Sequence, residues 1–200
     1  MSEKPDGTSP ELQGPVHRQI PEGDELPRMV CRDCGFIHYI NPKVVTGAVV
    51  TWREPGAGLA EEKVLLCRRA IEPRDGFWTI PAGYLELGES TEAGARREAR
   101  EEACAEIEID RLLAIYNITR ISQIQTIYRA ALTSPDVAAG IESREVGLFS
   151  WGDIPWDDIA FPTVRWALDQ YLETREKAAF APFGNPDGSD PDYRQGTALD

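Results

Sequence analysis

The sequence predicts a mixed α/β fold in which helices cover a sheet, and three observations carry that expectation. β-Branched and apolar runs recur through the middle of the chain, at Val44–Val50, Val64–Cys67, Ile107–Ile118, Ile124–Leu132 and Val146–Trp151. The stretch from Thr91 to about Ala105 contains no Pro and is rich in Ala, Glu and Arg, the composition of a helix. A second helical stripe, Val164, Ala167, Leu168, Tyr171 and Leu172, follows Pro162, whose fixed φ suits the first helical position. Strands, helix, strands, helix is the order of a mixed α/β layer fold.

Taken in order, residues 1–29 are rich in Pro, Gly and charge without periodicity, and read as an extended, weakly ordered lead-in. The first two strands are separated by Arg53 to Lys63, a Gly- and Glu-containing stretch that suggests a hairpin with a long loop. Phe77–Leu85 reads as an extended segment broken by Pro81 and Gly83. The end of the chain, residues 182–200, has the composition of a disordered acidic tail. The expected boundaries are 1–19 disordered lead-in, 20–43 cysteine knuckle, 44–181 main domain and 182–200 tail. No internal repeat is visible.

Composition narrows the function. The 200 residues are 42% hydrophobic and 28% charged, globular values, and no apolar run approaches a membrane span. Twenty-one Lys plus Arg against 34 Asp plus Glu give a net charge of −13. Such a surface repels nucleic acid and anionic lipid, so a phosphate-bearing substrate would need a cation to reach it. Four cysteines, unevenly spaced, do not make a disulfide scaffold. With no basic and apolar leader at the start, the expectation is a cytoplasmic protein without a membrane or nucleic-acid partner.

The chemistry concentrates in Gly83–Ala105. On a helical wheel Glu98, Glu101 and Glu102 fall at i, i+3 and i+4, on one arc that also holds Gly94. Ala95, Ala99 and Ala103 form a neighbouring stripe suited to packing on a sheet, and Arg96 and Arg100 lie on a third face. Glu98 and Glu102 are a like-charge i,i+4 pair, which disfavours a merely solvated face by roughly 0.2–0.5 kcal/mol. Converging carboxylates raise one another's pKa unless a cation shares them, and Mg²⁺ takes such oxygens and bridges them to phosphates. The pattern points to a divalent-metal site.

These residues carry a resemblance. Gly83, five residues, Glu89, seven residues, then Arg97-Glu98-x-x-Glu101-Glu102 resembles the Nudix box of the Nudix hydrolases. Six fixed residues would match by chance with a probability on the order of 10⁻⁵ over the chain. The sequence departs from the box at its end, where Cys104 takes the usual Gly and Ala105 replaces a larger aliphatic. The similarity covers roughly residues 20–172. It implies an α/β/α sandwich around a mixed sheet, and hydrolysis of a nucleoside diphosphate linked to another moiety. It further implies Mg²⁺ or Mn²⁺ held by Glu98, Glu101 and Glu102 with Glu89 and the Gly83 carbonyl, while Arg97 orients the glutamates. A late-loop glutamate supplies a general base in several members; Glu145 is the first candidate here and Glu142 the second.

Around the box, Arg68, Arg69 and Arg74 are candidate phosphate donors in an acidic protein. Trp78 is expected in packing, whereas one or two of Tyr116, Tyr128 and Gln123 are expected to face the nucleotide. Cys31-Arg32-Asp33-Cys34-Gly35 is half of a zinc ribbon, with the Gly that its tight turn needs. The flanking Ile20–Asp24 and Tyr39–Lys43 resemble the N-terminal module of zinc-ribbon-bearing Nudix hydrolases. The upstream cysteine pair of that subgroup is missing from Ser9–Val16, so a degenerate knuckle without zinc is the expectation. The subgroup resemblance suggests FAD or ADP-ribose as substrate. Alternatives are NAD(H) or an NAD cap, an oxidised nucleoside triphosphate, or a non-catalytic nucleotide sensor. The oligomeric state is open, a homodimer included.

Overall fold

The structure, a computed structural model, describes residues 14–188 in two units. The first unit, to Asn41, is a small antiparallel sheet of β1 (His17–Gln19), β2 (Arg28–Val30) and β3 (Ile37–His38) in that order. Asp24 shapes its first turn: one carboxylate oxygen accepts the Glu25 and Leu26 amides, the other the Arg28 guanidinium at 2.8 Å. Cys31 and Cys34 flank the turn between β2 and β3, closed by Gly35 N–H donating to the Cys31 carbonyl. Residues 1–13, the body of the expected lead-in, lie outside the described residues, and His17–Gln19, also assigned to it, form a strand.

The second unit begins at Pro42. Its strands are β4 (Lys43–Trp52), β5 (Lys63–Arg69), β6 (Trp78–Thr79), β7 (Ala82–Tyr84), β8 (Ile107–Ile118), β9 (Gln123–Leu132) and β10 (Ser143–Ser150). The helices are α1 (Thr91–Ala103) and α2 (Pro162–Thr174). The sheet runs β10-β5-β4-β9-β8, with β4 and β9 parallel and the other neighbours antiparallel. This is the mixed sheet of the expected sandwich. Both of its faces are buried, which is why β4 and β5 read as unbroken apolar runs rather than alternating ones. Val49, Val64 and Leu66 meet Val164, Ala167, Leu168 and Tyr171 of α2, while Ala48, Val50, Leu65 and Cys67 meet Ala95, Ala99 and Ala103 of α1.

The sheet forks where the function needs space. β4 pairs with β5 only at its end, through Thr51 and Trp52, and with β7 near its start, from Val45 to Gly47. β5 in turn pairs with β6 through Cys67 and Arg68. Between β6 and β7 stands Pro81, which has no amide proton to give a ladder. Beside the fork, α1 packs close to β4: a side chain at Gly94 would meet Thr46 Cγ2 at 2.6 Å. Thr46 also donates to the Thr91 carbonyl at 2.6 Å, pinning the first turn of the helix to the sheet.

Residues 182–188, expected to belong to a disordered tail, instead run beside β8. Phe183 exchanges backbone bonds with Leu113 and Ile115, and the Asn185 side-chain amide brackets the backbone of Asn117, accepting from its N–H and donating to its carbonyl. Residues 189–200 lie outside the described residues. Among those described, no helix is long and apolar enough to cross a membrane.

α1 starts at Ser90, whose hydroxyl accepts the Ala93 amide, and ends at Cys104 with φ +49. That is the left-handed cap conformation at which an L side chain costs about 1–2 kcal/mol and Gly costs nothing. Glycine's larger freedom in the unfolded chain returns about 0.4–1 kcal/mol of this. Cys104→Gly is therefore expected to raise unfolding stability by about 1 kcal/mol, read from urea midpoints at constant slope.

Candidate active site

The site lies where β7 turns into α1. Glu98 and Glu102 are buried against the sheet, at 6% and 5% exposure, and Glu101 stands at the exposed rim. Room for Glu98 comes from the strand opposite. A Cβ on Gly83 would lie 2.4 Å from both Glu98 carboxylate oxygens, so no other residue fits there without moving the carboxylate. Glu102 accepts the Ala82 amide at 3.1 Å.

Arg97 organises the remainder. Its Nη1 donates to Glu98 at 2.7 Å and to Glu101 at 2.9 Å; its Nε and Nη2 grip Glu89 at 3.1 and 2.7 Å; and Nη2 also reaches the Tyr84 carbonyl. Glu89 in turn accepts the Glu86 amide, which fixes the turn before the helix. Every residue of the predicted carboxylate set is thus brought to one place. Among the described residues no three His, Cys, Asp or Glu side chains stand in ligating positions, and at the box Arg97 occupies the space that Glu89, Glu98 and Glu101 share.

Burial and mutual repulsion act on the two inner carboxylates in the same direction. Desolvation holds Glu98 above the ordinary carboxylate range, against the pull of Arg97. Glu102 is pushed up to about 8, chiefly by burial, then by Glu98 and Glu142, with the Ala82 amide and Arg69 opposing. Hard anionic oxygens crowded in a desolvated pocket suit a hard divalent cation, which would restore the charge balance that burial upsets. In chemistry these oxygens are the donors that Mg²⁺ or Mn²⁺ takes, and in position they are drawn onto Arg97, so a cation would enter by parting Glu98 and Glu101 from that guanidinium.

A cleft of about 1320 Å³ opens over these carboxylates. Arg69 and Arg74 line it, each held over a ring, Phe161 at 5.3 Å and Phe77 at 5.0 Å. Arg68 and Glu145 do not reach it. Side chains alternate along β5, so Arg68 points away from the face of Arg69; it donates to the Gly76 carbonyl and pairs with Glu145 at 3.4 Å across β10. Glu142, the second candidate, lines the cleft and is close enough to repel both Glu98 and Glu102.

Of the polar and aromatic candidates, Gln123 lines the cleft. Tyr116 is buried and donates to Gln170, Tyr128 bonds Thr91, and Trp78 packs edge-on against Phe149. Sequence reasoning missed Gln125, Arg120 and Phe161, all on the cleft wall. The period-two spacing of Gln123, Gln125 and Ile127 was a usable signal for the first.

Comparison with known proteins agrees with the geometry. The family model described as the NUDIX domain matches residues 43–167, and the model described as Nudix N-terminal, a zinc ribbon, matches residues 13–40. The chain belongs to the Nudix hydrolase family. A crystal structure of a Nudix hydrolase from Nitrosomonas europaea is 45% identical, with a TM-score of 0.77 over 88% of this chain and 96% of that one. A "MutT-like protein" of Streptomyces ambofaciens is 34% identical over 54% of this chain and 60% of its own length. An "ADP-ribose pyrophosphatase" of Methanocaldococcus jannaschii is 24% identical over 58% of this chain and 67% of its own. The match therefore spans about two thirds or less of these curated relatives.

The raised Glu102 has a measurable consequence for the metal-free protein. Its folded pKa of about 8 exceeds the ordinary 4.5, so between these values the native state binds more protons than the unfolded one. In excess chelator, unfolding stability should fall as pH rises from about 5 to 8. Glu102→Gln should flatten that slope; a slope unchanged by the substitution would show that Glu102 is ionised throughout.

Proposed function

We propose that this enzyme hydrolyses the pyrophosphate bond of a nucleoside diphosphate linked to another moiety, with ADP-ribose the first substrate and FAD the second. The observation that carries the reading is the pair of buried carboxylates, Glu98 and Glu102, on the floor of an arginine-walled cleft. Glu98 has Arg97 beside it, but Glu102 has only the Ala82 amide, and a carboxylate so buried is costly unless a cation visits it. The name borne by the archaeal relative supports ADP-ribose.

Glu98, Glu101 and Glu102, with Glu89 and the Gly83 carbonyl, would hold Mg²⁺ or Mn²⁺. Bound there, the cation supplies charge neutralisation on the phosphoryl oxygens and a more acidic water. Arg97 keeps Glu89, Glu98 and Glu101 oriented. Arg69 and Arg74 donate to the diphosphate from the cleft wall, where forked guanidinium donors match phosphate oxygens. Glu142 accepts the proton of the attacking water. It takes this role in place of Glu145, which faces Arg68 on the strand.

The test is a hydrolysis panel with Mg²⁺ over ADP-ribose, FAD, NADH and oxidised nucleoside triphosphates, with products weighed by mass spectrometry. ADP-ribose should give AMP and ribose 5-phosphate, FAD should give AMP and FMN, and chelator should abolish both. Inorganic phosphate or pyrophosphate as the main product would refute the reading. Glu98→Gln and Glu102→Gln should each lower kcat by at least about a hundredfold with the fold intact. Arg100→Gln, which removes only the pair with Glu106, should leave turnover unchanged.

A further inference from the structure

The loop that carries Glu142 is built onto the exit of the carboxylate helix. The last carbonyls of any helix lack partners within it, and here they find them in two places. Cys104 and Ala105 donate back to Arg100 and Ala99, in the manner of a left-handed cap. The carbonyls of Glu102 and Ala103 are taken instead by the connection from β9 to β10: Gly140 N–H donates to the first and Ala138 N–H to the second, both at 3.0 Å.

Gly140 lies so near the helix that a Cβ built on it would stand 1.6 Å from the Glu101 carbonyl oxygen and 2.7 Å from its carbon. Backbone atoms cannot swing aside as the tip of a side chain can, so any side chain at 140 must lift the loop from the helix. Two residues further on, Glu142 is held from its other side, its carbonyl accepting the Ala70 amide at 2.8 Å. Arg144 pairs with Asp75, which belongs to the segment after β5 and lines the cleft. Glu142 therefore sits between a seat on the carboxylate helix and a latch to the cleft wall.

We propose that Gly140 is a positioning residue for the hydrolytic reaction, its missing side chain seating the β9–β10 loop on the carbonyls of Glu101 and Glu102 so that Glu142 faces Glu98 and Glu102, with Arg144 and Asp75 as the latch. The inference rests on the reading of Glu142 as the base. It ties the base to the very turn of helix that carries two of the carboxylates, so that both halves of the site move together. A misplacement of about 1 Å is enough to cost on the order of a hundredfold in rate.

The experiment is a double-mutant cycle on the full chain with ADP-ribose and Mg²⁺, reading kcat and KM separately. Gly140→Ala should lower kcat by about 10- to 100-fold and leave KM within about threefold. In a Glu142→Gln background the same substitution should change kcat by less than about twofold, because the group it displaces is already gone. Arg144→Gln should behave alike with a smaller loss, about threefold, again absent in that background. Wild-type kcat in Gly140→Ala, or an equal loss in both backgrounds, would overturn the positioning role while leaving Glu142 in place. Wild-type kcat in Glu142→Gln would instead refute the base and the inference with it. A Gly140→Ala protein that does not fold makes the contact a requirement of the fold, which also overturns the proposal and leaves Arg144→Gln to judge the latch alone.

Discussion

One guanidinium carries the geometry of the site. Arg97 makes five hydrogen bonds, to Glu89, Glu98, Glu101 and the Tyr84 carbonyl, and so joins strand, turn and helix in a single node. Without it, carboxylates from two elements would converge with nothing to offset their repulsion, and removing one partner of such a network leaves uncompensated charge in a half-buried place. The planar fork matters as much as the charge, since a lysine could not reach acceptors on four residues in fixed directions. The Ala stripe of α1 complements this: residues 95, 99 and 103 bring the helix close enough to the sheet for Glu98 and Glu102 to be buried beneath the cleft.

Much of the fold was legible because the local and global signals agree. The strand expected over Ile107–Ile118 is β8 itself, and α1 begins at Thr91, where its Pro-free, Ala-, Glu- and Arg-rich composition places it. The carboxylate set was legible for the same reason, since i, i+3 and i+4 spacing is a property of the helix alone. What the sequence did not disclose depends on pairing between distant segments. Glu145 and Arg68 looked like site residues one at a time, yet β10 pairs with β5 in a register that sets them opposite each other, after an irregularity between Ser143 and Glu145. A register of that kind has no local signature.

Composition misled at both ends, at His17–Gln19, which form a strand, and more fully at the end of the chain. Pro, Gly and Asp after residue 181 suggest disorder, but Phe180 and Phe183 pack against the α2 side of the core, and Arg111 and Arg129 lie over the Phe180 ring. Two aromatics in a polar stretch were the signal. Their effect is felt at β8, the last strand of the sheet, whose outward amides and carbonyls at Leu113, Ile115 and Asn117 are met by Phe183 and Asn185.

That strap redraws the unit that folds. The family match ends at residue 167 and the last helix at Thr174, yet the sheet is not finished until Asn185. A chain cut at the helix would carry the whole carboxylate site and still expose a bare strand edge, the kind of edge that recruits another chain. Among the described residues the edge of the sheet is therefore closed by hydrogen bonding at its far rim, some distance in sequence beyond the residues that make up the carboxylate site.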